Sequence, residues 1–266
     1  MLEFAVKPNE AIEVPIAYED AHLLVVNKPA GMVTQPGKGH TSDSLLNGLF
    51  ARHGKLLQNL GVRRDFGLLH RLDRETSGLL VVAKSPNAYD QLRRDFEARH
   101  VDKEYVAITV GTPKPMQGVV QARLKEVVVP APDAKYAGAT VKKVIISQQG
   151  QEAISAYQTL ATSPTHALVK VNIKTGRLHQ IRAHMQFLNV MVAGDDVYTL
   201  TAPKGAKLPN PPRLALHAWH LGFKHPITEK WAHVYAALPK DLTLFAAKVG
   251  LALPAQVAES RLALGQ

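Results

Sequence analysis

The chain has 266 residues, enough for a sizeable core, and sets 32 Lys and Arg against 22 Asp and Glu, a formal charge of +10. It contains no cysteine, which excludes disulfides, thiolate nucleophiles, iron–sulfur clusters and cysteine-based zinc sites. The positive excess favours a polyanionic partner, nucleic acid first and an acidic membrane surface second, and says nothing about fold.

Residues 1–15 read as an N-terminal arm. Their start, "MLEFAVKPNE", lacks the basic-then-apolar pattern of a signal peptide, and no apolar run approaches the length of a membrane span. A soluble cytoplasmic protein is the expectation. "AHLLVVNKPAGMV" carries a short apolar run, Leu23 to Val26, broken by Pro29 and Gly31, which predicts a strand and then a turn. "TSDSLLNGLFARH" predicts a short helix with Thr41, Ser42 or Asp43 as its cap. "GLLVVAK" predicts a second strand. "SPNAYDQLRRDFEARH" predicts a helix capped by Ser85 with Pro86 in its first turn, and Tyr89, Leu92 and Phe96 form its apolar stripe.

"KEYVAITVG" predicts a strand ended by Gly111. Residues 112–150, rich in Pro, Gly, Lys and Val, suggest hairpins and loops. "ALVKVNI" alternates, with Ala167, Val169, Val171 and Ile173 on one face and Lys170 and Asn172 on the other. In "KTGRLHQIRAHMQFL" the residues Leu178, Ile181, Met185 and Leu188 share one helix face, while His179, Arg182 and Gln186 share another. "TAPKGAKLPNPP" reads as a loop and "LHAWHLGF" as a strand. Residues 246–266 are left as a helix or tail. Strands and helices mix without the regular alternation of a parallel sheet, so the fold class is α+β.

Two stretches concentrate chemistry. In "HRLDRETSG" the aspartate Asp73 stands between Arg71 and Arg74, just before an apolar strand. A free aspartate titrates far below neutrality, so Asp73 is available as a nucleophile, a general base or an ion-pair member. The plain alternative is a surface aspartate that caps the turn or pairs with Arg74. Against it stand Thr76, Ser77 and Gly78, which place the carboxylate on a tight connection held by a rigid strand. The second stretch crowds Arg177, His179, Arg182 and His184 together, which suits a phosphate backbone or a buried carboxylate. A metal site is not expected. His179 and His184 do not share a helix face, His217 and His220 fall in a strand-like segment, and no HExxH motif occurs.

Taken together these motifs resemble the RluA-type RNA pseudouridine synthases. "HRLDRETSGLLVVAK" is similar to the family's central motif, "YEDAHLLVVNKPAGMV" to its first and "DKEYVAITVG" to its tyrosine motif. "KTGRLHQIRAHM" with "GDDVY" resembles the third, and "RLALHAWHLGFKHPIT" the closing signature. Departures are Gln35 where the family often has His, Leu178 where Thr is common, Leu188, Asn189 and Val190 for a usual Gly-His-Pro, and Thr199 after Tyr198.

The resemblance implies a catalytic domain over 16–245 with no S4 RNA-binding domain before it. The implied fold is a mixed, mainly antiparallel sheet with helices and loops around a basic cleft. It implies cleavage of the bond between uracil N1 and the ribose, rotation of the base and rejoining through C5, with no cofactor. Asp73 matches the required aspartate, Arg71 would hold or replace the extruded nucleotide, and Tyr105 would pack on the uracil or hydrogen-bond to it. Arg182 would pair with Asp73 and orient it. Lys28, His70 and Arg177 are further candidates for RNA contact or site support. The expected substrate is ribosomal or transfer RNA, and the expected state a monomer with no obligate protein partner and no membrane association. Two alternatives are an RNA-binding protein without catalysis and a glycoside hydrolase. The hydrolase would need a second carboxylate about 5–10 Å from the first, with Glu75 or Asp43 the nominal candidates.

Overall fold

The computed structural model describes residues 5–130, 140–199 and 208–265. They form two compact units, one of Met1–Asp102, Ala218–Ala236 and Ser260–Gln266, the other of Lys103–His217 and Ala237–Glu259.

The first unit is built on strands β1 (Ile16–Glu19), β2 (Leu23–Lys28) and β3 (Ser77–Ala83), paired antiparallel in that order. Every residue of β3 is buried and β2 nearly so, which explains why both read as continuous apolar runs rather than alternating ones. Strand β10 (Leu216–Lys224) follows β3 in the sheet, then β11 (Trp231–Tyr235) and β12 (Arg261–Leu264). Gly78 lets β3 approach β10. Its φ is +118°, and a Cβ there would lie 2.2 Å from the Ala218 carbonyl oxygen.

Helix α1 (Leu45–Leu60) starts one residue beyond the expected caps. Ser44 is the cap, and Asn47 closes a reciprocal capping box with it. The N-terminal arm is pinned on this helix, for Val6 and Val14 are buried and Asn9 and Asn47 exchange bonds with the arm and its neighbours. A 3₁₀ segment (Val62–Gly67) follows. Helix α2 (Pro86–Glu97) has Ser85 as its cap and Pro86 in its first turn, as the sequence implies.

The second unit carries β4 (Asp102–Val110), β5 (Gln117–Pro130), β6 (Thr140–Ile146), β7 (Gln151–Thr162) and β8 (His166–Ile173). Their order is β4-β8-β7-β5-β6, every described pairing antiparallel. Gly111, at φ +83°, ends β4, and β8 buries Ala167, Val169, Val171 and Ile173 while Lys170 and Asn172 are half-buried. Helix α3 (Gln180–Phe187) is followed by the short β9 (Met191–Val192), which pairs with β4. Helices α4 (Lys240–Lys248) and α5 (Ala255–Ala258) lie in this unit, so the last twenty residues include α5 and β12. The loop expected from Thr201 falls largely outside the described residues. The class is α+β with a mainly antiparallel sheet.

Candidate active site

Asp73 sits in the connection that leads into β3. Its carbonyl accepts the Thr76 amide at 3.1 Å, which closes a turn over Arg74 and Glu75. The side chain is half-buried, while Arg71 and Arg74 on either side are exposed. Exposed groups on a turn ordinarily wander, but this turn is fastened by the segment that follows β2. Thr34, itself buried, donates its hydroxyl to the Leu72 carbonyl at 2.9 Å and accepts the Leu72 amide at 3.2 Å. The Lys28 ammonium donates to the carbonyls of Pro29, Met32 and Arg74 at 2.9, 2.7 and 3.1 Å. The Gly31 amide donates to the Arg74 carbonyl at 2.9 Å, and Arg74 Nε returns a bond to the Gly31 carbonyl at 3.1 Å. "NKPAGMVT" therefore reads as a brace for "HRLDR".

Lys28 has no exposed surface. A buried ammonium is costly unless its donors are used, and all three are. His70 stacks on Phe96 of α2 with ring centres 5.1 Å apart, and its Nε2 accepts the Val81 amide at 3.2 Å. It fixes the entry to the Asp73 turn from the β3 side. The two carboxylates weighed as hydrolase partners have other engagements: Glu75 pairs with Arg74 at 3.5 Å and Asp43 with His40 at 2.7 Å, both on exposed surface.

In the second unit, Tyr105 lies on β4 opposite Val171 and is buried. Arg177 and Arg182 flank the start of α3. His179, the residue before the helix, is left-handed (φ +49°) and supplies no side-chain cap. The Gln180 side chain instead fastens the approach to the helix. Its Oε1 accepts the Arg177 amide at 3.1 Å and the Thr175 hydroxyl at 2.7 Å, and its Nε2 donates to the Ile154 carbonyl and to Ser155 Oγ, each at 3.0 Å. All four hydrogen-bonding positions of the carboxamide are used. Ser155 Oγ, which accepts from Gln180, is also hydrogen-bonded to His184 Nδ1 at 2.9 Å. Burial pushes the His184 imidazole down to about 4, so it is neutral.

Arg182 is 7% exposed, its guanidinium paired two-pronged with Asp195 at 2.7 and 2.7 Å. Burial by itself would raise the Asp195 carboxyl. The Arg182 bonds and charge, with the Val197 and Tyr198 amides, outweigh that and hold it below the usual range. The Arg182 guanidinium also lies over the Tyr198 ring at 5.2 Å. Arg182 thus emerges from a helix buried on both sides, not from one with an open polar face.

Residues 22–187 match the family model described as RNA pseudouridylate synthase. The chain belongs to this family. The ribosomal large subunit pseudouridine synthase D of Zymomonas mobilis is 37% identical over 242 residues, covering 89% of this chain and 73% of that protein. The protein of the same description from Blochmanniella floridana is 35% identical, covering 87% and 71%. Among solved structures, human RNA pseudouridylate synthase domain containing 4 aligns with a TM-score of 0.68 at 28% identity, over 90% of this chain and 94% of that one. The protein is accordingly an RNA pseudouridine synthase, an isomerase whose substrate is RNA.

Within this pseudouridine synthase the first unit gathers Lys28, His70, Arg71 and Asp73 around one turn, and the second carries Arg177 and Arg182 at the start of α3 and Tyr105 on β4. Sequence reasoning missed Thr34, Gln180 and Asp195. Asp195 had a signal, being an acidic residue after a glycine in "GDDVY". Thr34 had none, because nothing in "MVTQPG" tells which backbone its hydroxyl meets.

Proposed function

We propose that this pseudouridine synthase isomerises uridines of large-subunit ribosomal RNA, and that Asp73 carries the chemistry. The observation that carries the reading is the brace on the Asp73 turn. A half-buried carboxylate between two exposed arginines, on a backbone fixed by Thr34 and Lys28, is what an attack on a bound nucleotide needs. The carboxylate either attacks the sugar C1′ or the base, or removes a 2′ proton. Each route divides a hard step into easier ones and calls for no cofactor. The relatives' description supports ribosomal RNA over transfer RNA.

The remaining roles follow the family motifs. Tyr105 packs on the uracil or hydrogen-bonds to it, and Arg182 orients Asp73. Arg71 holds or replaces the extruded nucleotide, with Arg177 on the phosphates. Lys28 and His70 support the turn. The protein acts as a cytoplasmic monomer. Among the described residues no helix is long and apolar enough to cross a membrane.

The test has two parts. Pseudouridines are mapped across total RNA from cells with and without the gene, and the missing position identifies the substrate. A loss confined to transfer RNA would move the substrate assignment there. On the identified RNA, Asp73→Asn is expected to lower turnover by orders of magnitude with binding nearly unchanged, and near-normal turnover in that variant removes Asp73 from the chemistry.

A further inference from the structure

The second unit holds an open pocket of about 540 Å³ lined by Gln121, Arg123, Ser147, Gln148, Glu152 and Phe187, none of them a candidate site residue. Its size falls in the range of small-molecule sites, about 300–1,000 Å³. Its chemistry is mixed in a particular way. Phe187, the last residue of α3, leaves 58% of its surface exposed, an unusual place for an apolar ring. Opposite chemistry comes from the β5, β6 and β7 strands and the turn between β6 and β7. Arg123 uses Nη1 on the Gln148 carbonyl at 3.0 Å, which positions the guanidinium and leaves its other N–H groups for a ligand. Gln121 Nε2 donates to Glu152 Oε1 at 3.2 Å, so the carboxylate is oriented too. The Gln148 carboxamide makes no hydrogen bond among the described residues.

We propose that this pocket binds one unpaired nucleotide of the RNA substrate, other than the uridine that is isomerised. A planar base stacks on the Phe187 ring, as splayed RNA bases do on aromatic side chains. Its edge meets the Gln148 carboxamide and the Glu152 carboxylate, which favours a base offering N–H donors. Its phosphate meets the Arg123 guanidinium, the cation among the lining residues. An apolar peptide fits poorly, since the polar groups would lose water without partners. The inference rests on the RNA-modifying activity and adds a site that helps choose the RNA.

The test uses the full chain carrying 4-fluorophenylalanine, with the Phe187 fluorine resonance identified by its loss in Phe187→Leu. Guanosine monophosphate is expected to shift that resonance saturably, and ribose 5-phosphate is not. No shift, or an equal shift with ribose 5-phosphate, overturns base stacking. On the identified RNA, Phe187→Ala is expected to raise KM by about five-fold or more, the loss of one stacked base, with saturating turnover and Tm unchanged and with Phe187→Tyr restoring KM. An unchanged KM overturns the proposal, and so does a KM rise that tracks a fall in Tm. The fluorine measurement needs no turnover. A wild-type protein that modifies no RNA would sink the proposed substrate while the pocket is still read directly.

Discussion

Arg182 and Asp195 form a buried two-pronged ion pair, Nε to Oδ2 and Nη2 to Oδ1, with Asp195 also accepting the amides of Val197 and Tyr198. The pair ties α3 to the turn after β9. Asp195→Asn keeps the shape and removes the charge that compensates Arg182. Breaking one side of such a pair costs about 3–5 kcal/mol, and denaturant unfolding should show a loss of that order. Turnover should fall as well, because Arg182 loses the partner that fixes its direction. The pH dependence has a defined sign. The folded Asp195 carboxyl is held below its unfolded value, so its contribution is complete above the ordinary aspartate range, about 3.9. It fades as pH falls through the lower folded value. Acid titration of stability should be shallower in Asp195→Asn than in wild type over that window, and an identical profile would show that the pair carries no linkage.

The Thr34 hydroxyl holds both backbone groups of Leu72, one residue before Asp73. Thr34→Val has nearly the same shape and removes both bonds, leaving a buried N–H and C=O without their partner. That should cost about 1–3 kcal/mol. If the brace positions Asp73, turnover falls while KM for RNA moves little, and Thr34→Ser recovers most of both losses. A variant that loses stability but keeps full turnover would show that the turn holds its shape without the brace.

Gly78 meets the Ala218 backbone so closely that a methyl group has nowhere to go. Gly78→Ala forces β3 and β10 apart at the strand that anchors the Asp73 turn, besides straining a φ of +118°. Overpacking of this kind commonly costs about 1–3 kcal/mol or more. The expected result is a clear drop in Tm or insoluble protein, and an unchanged Tm would place the close approach in doubt.

What the sequence disclosed and what it hid have physical causes. Strands β2 and β3 were legible because both of their faces are buried, so their apolar runs are unbroken. Helix α2 was legible because Ser85 and Pro86 mark a start by local chemistry alone. The start of α1 fell at Ser44 instead of Thr41, Ser42 or Asp43, since several capping residues stood in a row and only the Asn47 reply selects one. The burial of Arg182 could not be read from helical spacing. Its partner Asp195 lies beyond the helix and β9, and a guanidinium on a polar stripe looks the same whether water or a carboxylate faces it. Asp73 was visible by its odd setting, while the Thr34 and Lys28 contacts that make the setting rigid run between loops distant in sequence.

Salt dependence separates phosphate contacts from base contacts. The formal charge is +10, and Arg71 and Arg177 are exposed cations beside the proposed site residues. Bound cationic groups release counterions from RNA, so log affinity falls linearly with log salt. About five phosphate contacts on single-stranded RNA give a slope of roughly −3.5. Arg177→Gln should flatten that slope by about 0.7, one contact's share. Tyr105→Phe removes only a hydroxyl from a buried ring, so it should leave the slope alone and lower turnover. Fluorescence titration of a looped transcript across a salt series reads the slopes, and single-turnover rates read the chemistry. A slope unchanged by Arg177→Gln would remove Arg177 from the phosphate contacts. A slope changed by Tyr105→Phe would mean that its hydroxyl faces the backbone and not the base.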